Sequence, residues 1–237
     1  MQLEVQDLHA AYQRDLFVLR GLDLTVAEGD VSIVIGPNGS GKSTLLKSIA
    51  GVLKPQRGAV LLNGEDITGI RLDEIIRRGI CYIPQERAIF PQMSVTENLE
   101  IGCWIFKRNR KLVHERVQWA LERFPALKDR KNQLVGSLSG GLQRTLDIAK
   151  SLLANPALLL VDEPSVGLAP LVAQSIYAEL FALKQEGKTI LLVDQDVQSA
   201  MEIADWVYVL DLGRVQTRGS REDFAGQLHE LVASWLL

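Results

Sequence analysis

The chain has little of what marks several large protein classes. It has two cysteines in 237 residues, Cys81 and Cys103, and they fit neither a metal-binding spacing nor a disulfide framework. No apolar run approaches the ~20 residues that span a bilayer. The N-terminal stretch MQLEVQDLHA alternates apolar with polar residues and predicts a strand rather than a signal peptide. We therefore expect small buried cysteines in a reducing compartment and, if the protein serves a membrane, a separate chain that spans it.

An excess of basic residues is also absent. The formal net charge is −3, whereas a dedicated nucleic-acid binder usually carries a positive excess. Hydrophobic residues make up 47% and charged residues 23% of the chain, which is typical of a globular protein with a sizeable core. We expect no nucleic-acid partner.

Short apolar runs alternate with helical patterns along most of the chain. Strands are predicted at VSIVI (31–35), ICYIP (80–84), ALLLVD (157–162), TILLVD (189–194) and WVYVL (206–210). Strands that alternate with helices predict a largely parallel sheet. Near the N-terminus, QLEVQDLHAAY and LDLTVAEGD predict two strands of an antiparallel layer.

The segment from about residue 94 to residue 154 differs from the rest. Its apolar residues recur at helical spacing, as in Val113, Val117 and Leu121, and Pro125 is predicted to end its second helix. We expect an α/β fold with a mostly parallel sheet, an N-terminal antiparallel β layer and a helical subdomain. The whole chain, residues 1–237, is predicted to form one domain, with the helical subdomain inserted at about 94–154.

The stretch GPNGSGKS, from Gly36 to Ser43, matches the phosphate-binding pattern G-x-x-x-x-G-K-[ST]. It follows a predicted strand and opens a predicted helix, as the mechanism requires. Glycine allows backbone conformations closed to other residues, so that successive N–H groups point at phosphates at a helix N-terminus. Lys42 supplies charge to the β- and γ-phosphates, and Ser43 offers a hydroxyl to Mg²⁺. Because kinases, GTPases, motors and transporters all use this loop, the rest of the chain must decide its purpose.

An acidic pair follows a predicted buried strand in the stretch LLLVDEP. Ligands of open α/β sheets sit beyond the carboxyl ends of the strands, where Asp162 and Glu163 are predicted to lie. Asp162 is placed to hold Mg²⁺, and Glu163 to orient and deprotonate an attacking water. Together with the glycine loop, the pair predicts nucleotide hydrolysis.

A third motif lies between these two. Leu138, Ser139, Gly140 and Gly141 stand at the start of a predicted helix, in the stretch SLSGGLQRTLDIAKSLLANP. This order and spacing resemble the ATP-binding cassette (ABC) family, whose signature begins LSGG. The resemblance implies a P-loop NTPase fold, ATP and Mg²⁺ as cofactors, and ATPase activity. It also implies a dimer in which the serine and glycines grip the γ-phosphate bound to the opposite subunit, a second anion site at a helix N-terminus.

The resemblance assigns roles to further residues. Tyr12 would stack on adenine, Gln85 would meet Mg²⁺ and the attacking water, and residues 164–170 (PSVGLAP) would run between the two subunits. The implied nucleotide-binding residues are Tyr12, Gly36, Pro37, Asn38, Gly39, Ser40, Gly41, Lys42, Ser43, Thr44, Ser139, Gly140 and Gly141. The implied metal ligands are Ser43, Gln85 and Asp162, and the implied catalytic residues are Glu163, Gln85 and Gln195.

Three positions depart from the family pattern. The fifth signature residue, usually Gln or Glu, is Leu142; the usual switch histidine is Gln195; and Ala169 replaces the interface aspartate. The last two features, with AIFPQMSVTENLEIG, resemble the ATPases of branched-chain amino acid uptake systems. That branch implies import of branched-chain or other hydrophobic amino acids. The chain would work with transmembrane permease subunits and a second ABC ATPase subunit, identical or related, at the cytoplasmic face of the inner membrane.

Other functions compete with this one. A cassette ATPase of DNA repair or translation typically inserts a long coiled coil or carries two cassettes, and the short stretch between Gln85 and Ser139 holds only a compact helical subdomain. A small-molecule kinase or GTPase has no need of the Ser139 loop. Within the family, the transported substrate could instead be urea, an amide or an exported lipid.

Two further stretches keep two interpretations each. AIFPQM (88–93) is either buried packing or an apolar groove that receives a short helix of the permease. KRNRK (107–111) is either a solvated loop between two helices or a contact for anionic lipid or a partner chain.

Overall fold

The computed structural model describes residues 1–13, 16–224 and 226. The strands are β1 Leu3–Ala11, β2 Phe17–Val26, β3 Val31–Ile35, β4 Arg57–Leu62, β5 Glu65–Asp66, β6 Ile80–Ile83, β7 Leu158–Asp162, β8 Thr189–Val193, β9 Trp206–Asp211 and β10 Arg214–Ser220. The α-helices are α1 Lys42–Ile49, α2 Leu72–Arg77, α3 Val95–Gly102, α4 Arg110–Arg123, α5 Pro125–Lys128, α6 Gly140–Leu152, α7 Pro170–Gln185, α8 Val197–Ile203 and α9 Arg221–Phe224. Short 3₁₀ helices span Trp104–Phe106 and Val135–Ser137.

The larger sheet has six strands in the order β10-β9-β3-β8-β7-β6. All neighbouring pairs are parallel except β9 and β10. Every residue of β3, β7 and β8 is buried, as expected of strands covered on both faces. The predicted, mostly parallel sheet is confirmed, and the carboxyl ends of β3 and β7 meet at one edge with only β8 between them.

The second sheet has the order β2-β1-β4-β5 and is antiparallel. Buried and more exposed positions alternate along β2, because one face of the strand is packed and the other meets solvent. Leu3 and Val5 of β1 share one apolar cluster with Leu46 of α1 and with Val34 and Leu160 of the larger sheet. The predicted N-terminal β layer is confirmed, and α1 is packed between the two sheets.

Helices α3 to α6 follow one another between β6 and β7. Helix α3 begins with a capping box, in which the Ser94 hydroxyl accepts from the Glu97 N–H and the Glu97 carboxylate accepts from the Ser94 N–H. Helix α4 ends before Pro125, as predicted, but the same proline also opens α5, where its missing N–H costs nothing. The basic run was predicted to lie between helices; that is wrong for Arg110 and Lys111, which form the first turn of α4 after the Asn109 cap.

Both cysteines are buried and free, as expected of small core residues. Burial raises the pKa of the Cys81 thiol to about 12 and that of Cys103 to about 11. In the part of the chain that the structure describes, no helix combines the length and the apolarity needed to cross a bilayer.

Candidate active site

The glycine-rich loop connects β3 to α1. Gly36 has a φ of +154°, and a Cβ there would collide with the backbone carbonyl of Leu210 on β9. Gly41, the residue before α1, has a φ of +109°, and its Cβ would lie 2.9 Å from the Leu19 side chain. Both positions therefore require glycine, which lets the loop lie close against the sheets and turn into α1.

The Lys42 side chain folds back over this loop. Its Nζ donates to the carbonyl oxygens of Gly36, at 2.8 Å, and Pro37, at 2.9 Å. Burial lowers the pKa of Lys42, while the charges of Glu163 and Asp162 raise it. The ammonium is thus held by neutral carbonyls, which an anion with full negative charge can outcompete.

A cavity of about 270 Å³ opens beside the loop. It is lined by Tyr12, Val18, Asn38, Gly39, Gly41, Lys42, Ser43, Thr44 and Glu163. Tyr12 is 58% exposed at its mouth, and the Thr44 hydroxyl donates weakly to the Tyr12 hydroxyl at 3.5 Å. Ser40 is buried, and its Oγ has no hydrogen-bond partner within the described residues. The exposed Tyr12 ring and the N–H donors of the loop thus border one cavity. These are the groups that the adenine base and the phosphates of a nucleotide require.

Asp162 ends β7 with both carboxylate oxygens occupied. Oδ1 accepts from the Ser43 hydroxyl at 2.9 Å, and Oδ2 accepts from the Tyr82 hydroxyl at 3.0 Å. Burial raises the pKa of Asp162, and the bonds from Ser43 and Tyr82 lower it. Two of the three predicted metal ligands, Ser43 and Asp162, are therefore in direct contact, and they offer the oxygen donors that Mg²⁺ prefers.

Glu163, the next residue, has a strained backbone. Its φ is +41°, uncommon for any residue but glycine, and its N–H donates to the Val193 carbonyl of β8 at 2.7 Å. Its side chain is 7% exposed. Such strain persists only where the surroundings fix the residue, and it clusters at functional sites.

Two amides converge on this carboxylate. Gln85 Nε2 donates to Glu163 Oε2 at 2.8 Å, and Gln195 Nε2 donates to the same oxygen at 2.9 Å. Both glutamines are exposed, since one lies on the loop after β6 and the other on the loop after β8. The structure therefore brings the three predicted catalytic residues together. Gln85, predicted also as a metal ligand, touches Glu163 rather than Asp162.

The Ser139 loop lies outside the lining of the cavity. Ser139 caps α6, accepting from the Leu142 N–H at 3.4 Å, and is exposed. A Cβ at Gly141 would lie 2.7 Å from the Val172 side chain of α7, so α6 and α7 approach closely there. Leu142 is half buried against the core. An exposed, capped helix start is the geometry that a site completed by another subunit would need.

Asp194, just before Gln195, was not predicted as a site residue. It is 2% exposed, and its carboxylate accepts from the Ser165 hydroxyl at 2.9 Å, the Tyr177 hydroxyl at 2.8 Å and the Gln195 N–H at 2.7 Å. It thereby ties the loop 164–170 to the residue that holds Glu163. The sequence signal was its place directly after the apolar run of β8.

Four further residues near the site were not predicted from the sequence. Val18 lines the cavity, Tyr82 bonds Asp162, and Arg144 and Asp147 form a buried pair on α6. The only hint of the pair was two charged residues three positions apart, on a helix whose neighbouring positions are apolar.

A second cavity is lined by none of the residues assigned to the ATP site. It measures about 530 Å³ and lies between α3 and α4, where Lys107, Arg110 and Lys131 line it with the buried side chains Val117 and Leu121. Two residues of the basic run thus face an open groove.

In the described ranges, no three His, Cys, Asp or Glu side chains cluster as a metal site. The residues nevertheless suit Mg²⁺ bound together with a nucleotide, because a hydroxyl and a carboxylate meet beside the loop and phosphate oxygens would supply further ligands. The buried Ser40 hydroxyl and the Lys42 ammonium likewise suit a polyphosphate.

Several known proteins are similar to this chain in sequence. The family model described as ABC transporter matches residues 19–166. The high-affinity branched-chain amino acid transport ATP-binding protein BraG of Pseudomonas aeruginosa is 37% identical over 88% of this chain and 89% of its own length. The probable branched-chain amino acid transport ATP-binding protein LivF of Archaeoglobus fulgidus is 38% identical, with 93% of each chain covered. The lipopolysaccharide export ATP-binding protein LptB of Acidithiobacillus ferridurans is 34% identical over 93% of this chain and 91% of its own.

Solved structures of ATP-binding cassettes have the same fold as this chain. The ADP conformation of an ATP-binding cassette of an ABC transporter matches with a TM-score of 0.88 at 30% identity, covering 100% of this chain and 99% of that one. A dimeric cassette in a post-hydrolysis state with ADP and Pi matches with a TM-score of 0.81 at 28% identity, covering 92% and 98%. The predicted P-loop NTPase fold is therefore confirmed. By its sequence, its fold and the phosphate-binding loop beside Glu163, the chain belongs to the ABC transporter family, as an ATP-binding and ATP-hydrolysing domain.

Proposed function

We propose that this chain powers the import of branched-chain or other hydrophobic amino acids, as a peripheral subunit at the cytoplasmic face of the inner membrane. Two relatives named for branched-chain amino acid transport are similar to this chain over most of its length. LptB, a relative named for lipopolysaccharide export, represents the competing substrate class. The choice between them rests on those relatives and on the resemblance at Gln195 and Ala169.

One observation carries the hydrolytic part of the proposal: the Glu163 carboxylate borders the Lys42 cavity and is held by two amides on one oxygen. This leaves Oε1 to take a proton from a water. Glu163 acts as the general base and Gln85 orients both the base and the water. Lys42 and the loop amides bind the phosphates, and Tyr12 stacks on the adenine.

Asp162 and Ser43 would hold Mg²⁺, with Gln85 as the third proposed ligand. The metal would neutralise charge on the phosphoryl group. Tyr82 keeps the Asp162 carboxylate in place by donating to the oxygen that does not face Ser43.

The second ATPase subunit completes the site. Ser139, Gly140 and Gly141 present a capped helix N-terminus to the γ-phosphate bound by the opposite chain, while residues 164–170 run between the subunits. The dimeric cassette among the structural matches supports such an arrangement. The second subunit is a copy of this chain or a related ATPase.

The hydrolytic proposal is tested with Glu163→Gln. This change keeps the size of the side chain and removes the base, so we expect ATP binding to persist, turnover to fall by about 10²–10⁴-fold and the dimer to accumulate with ATP and Mg²⁺. Steady-state ATPase rates and size-exclusion chromatography measure both effects. Glu122→Gln, an exposed position on α4, is the control and should match the parent. A Glu163→Gln protein that hydrolyses at the parent rate would remove Glu163 from its role.

The permease is proposed to dock at residues 88–93. Ile89 packs against the core, whereas Phe90 is 47% exposed and the Lys150 ammonium lies 5.5 Å from the centre of its ring. Phe90→Cys should crosslink to a permease loop in the assembled transporter. The two native thiols are buried, so they do not compete with the new cysteine for the reagent. Phe181→Cys on α7, with 44% of the phenylalanine exposed, is the matched control. Equal crosslinking at both positions would count against this docking site.

The substrate is tested in proteoliposomes that contain the assembled transporter. ATP-driven uptake of labelled leucine is expected, and it should be abolished by Glu163→Gln. An ATPase stimulated by its permease without leucine uptake would reject amino-acid import while leaving the hydrolytic site intact.

A further inference from the structure

Helix α6 carries an ion pair inside the protein. Arg144 and Asp147 are 2% and 1% exposed, and Arg144 Nη1 donates to Asp147 Oδ2 at 3.2 Å. Burial raises the pKa of Asp147, against the opposing charge of Arg144. Removing two charges from water is costly, and neutral residues in such places often serve stability equally well. Stability alone therefore does not explain a charged pair at this place.

The Arg144 guanidinium reaches three backbone carbonyls beside the catalytic groups. Nη1 donates to Pro84 O at 2.7 Å, Nη2 to Asp162 O at 3.3 Å and Nε to Pro164 O at 3.2 Å. Pro84 immediately precedes Gln85, and the other two residues flank Glu163. A single side chain is thus bonded to the nearest neighbours of both partners in the Gln85–Glu163 contact.

Asp147 extends this connection along the same loop. Its Oδ1 accepts from the Ala88 N–H at 3.2 Å, three residues beyond Gln85. Ala88 begins the stretch whose Phe90 is exposed. The pair therefore fixes both ends of the segment 84–88 to α6, the helix that starts at the Ser139 loop.

We propose that Arg144 and Asp147 are positioning residues: by fixing the 84–88 segment and the end of β7 to α6, they set the contact between Gln85 and Glu163. The segment then cannot shift at Ala88, next to the exposed Phe90, without altering the site of hydrolysis. The inference rests on the proposed roles of Glu163 and Gln85.

The planar fork of arginine is what the geometry uses. Three of its nitrogens point to four acceptors, and the single ammonium of a lysine, on a flexible stem, cannot reproduce that arrangement. Arg144 is not among the residues that line the nucleotide cavity. Misplacement of catalytic groups by about 1 Å costs on the order of 10²-fold in rate. We therefore expect Arg144→Lys to lower kcat by about 10–100-fold, with the KM for ATP within about twofold of the parent.

The test uses the full-length chain and three variants. Arg144→Lys keeps the buried charge and loses the fork. The double variant Arg144→Gln/Asp147→Asn replaces the ion pair by neutral residues of similar size, so that no charge is left buried alone. Arg123→Lys is the matched control, since Arg123 bonds Glu179 and Glu186 at 2.6 and 2.7 Å, joins α4 to α7 and does not line the nucleotide cavity. For each, kcat, KM for ATP and the melting temperature are measured.

The expected result is a low kcat with near-parent KM in both Arg144 variants, a melting temperature of the double variant close to that of the parent, and an unchanged kcat in the control. An Arg144→Lys protein with parent kcat would overturn the inference, as would a kcat loss that the Arg123→Lys control shares. Glu163→Gln is assayed alongside. If it hydrolyses ATP at the parent rate, the proposed role of Glu163 as the base fails, and the positioning role fails with it; if it is inactive while Arg144→Lys is fully active, only the positioning role fails.

Discussion

Gln195 stands where the family usually has histidine, and the structure places its amide on Glu163. Nε2 of Gln195 lies 2.9 Å from Glu163 Oε2, and Gln85 donates to the same oxygen. Gln195→Ala removes one of two donors and leaves the other. Hydrogen bonds to charged groups are worth about 1.5–3 kcal/mol, and the exposure of Gln195 favours the lower end of that range. We expect turnover to fall by about tenfold, which corresponds to about 1.4 kcal/mol.

Gln195→Glu is the sharper change, because it replaces a donor by a second carboxylate. Two unit charges at 2.9 Å repel by about 1.4 kcal/mol in water and by about 6 kcal/mol at an effective dielectric constant of ~20. Since Glu163 is buried and position 195 is exposed, the repulsion lies between these two limits. Like charges favour the protonated form, so the pair of carboxylates should hold a proton to higher pH than a single carboxylate would.

The assay is the steady-state ATPase rate of the parent and both variants between about pH 5.5 and pH 8.5. The rate of Gln195→Ala relative to the parent should be about 0.1 and nearly constant with pH. The relative rate of Gln195→Glu should rise with pH, since a proton shared by the pair leaves the Glu163 carboxylate neutral for part of the time and lowers its availability as a base. If Gln195→Ala is as fast as the parent, the hydrogen bond to Glu163 has no catalytic consequence; a flat profile for Gln195→Glu would show that the two side chains do not interact in the working enzyme.

Three further experiments test the glycine-rich loop, the contact to Asp162 and the burial of Cys81. Gly36→Ala should abolish ATP binding, because the added Cβ has no space. In Gly39→Ala the added Cβ meets no atom within 4 Å, so this variant should lose only about 1–2 kcal/mol of unfolding free energy to the strain of its φ of +83°. Measurements of nucleotide binding and thermal melting distinguish the two variants. Tyr82→Phe removes the hydroxyl that donates to Asp162 Oδ2. It should raise the Mg²⁺ concentration needed for the half-maximal ATPase rate by about tenfold. An unchanged Mg²⁺ dependence would contradict the role of Tyr82 in positioning Asp162. The Cys81 thiol, whose pKa burial raises to about 12, should react with a thiol reagent at pH 8 only after unfolding; rapid labelling of the native chain would contradict its burial.

Much of the fold and part of the site followed from local patterns. Short, mostly apolar runs predicted β3, β7 and β8. The GPNGSGKS motif predicted the loop between β3 and α1, because backbone geometry and phosphate chemistry there depend on residues adjacent in sequence. The placement of Asp162 and Glu163 at a strand end also followed, since the apolar run stops where they begin. Helix boundaries were less accurate around residues 107–111, where charge patterning alone does not reveal the Asn109 cap.

The sequence by itself determined the class of chemistry. It contains a phosphate loop, an acidic strand end and the Ser139 signature, each defined by a few consecutive residues. Only the tertiary structure decided how these parts touch. It brought Gln85 and Gln195, which are 110 residues apart in the chain, onto a single oxygen of Glu163, and it placed Arg144 against carbonyls on both sides of that group. Such contacts depend on the order and register of strands in the sheet and on the packing of α6 beneath their ends, which join residues that no local pattern relates.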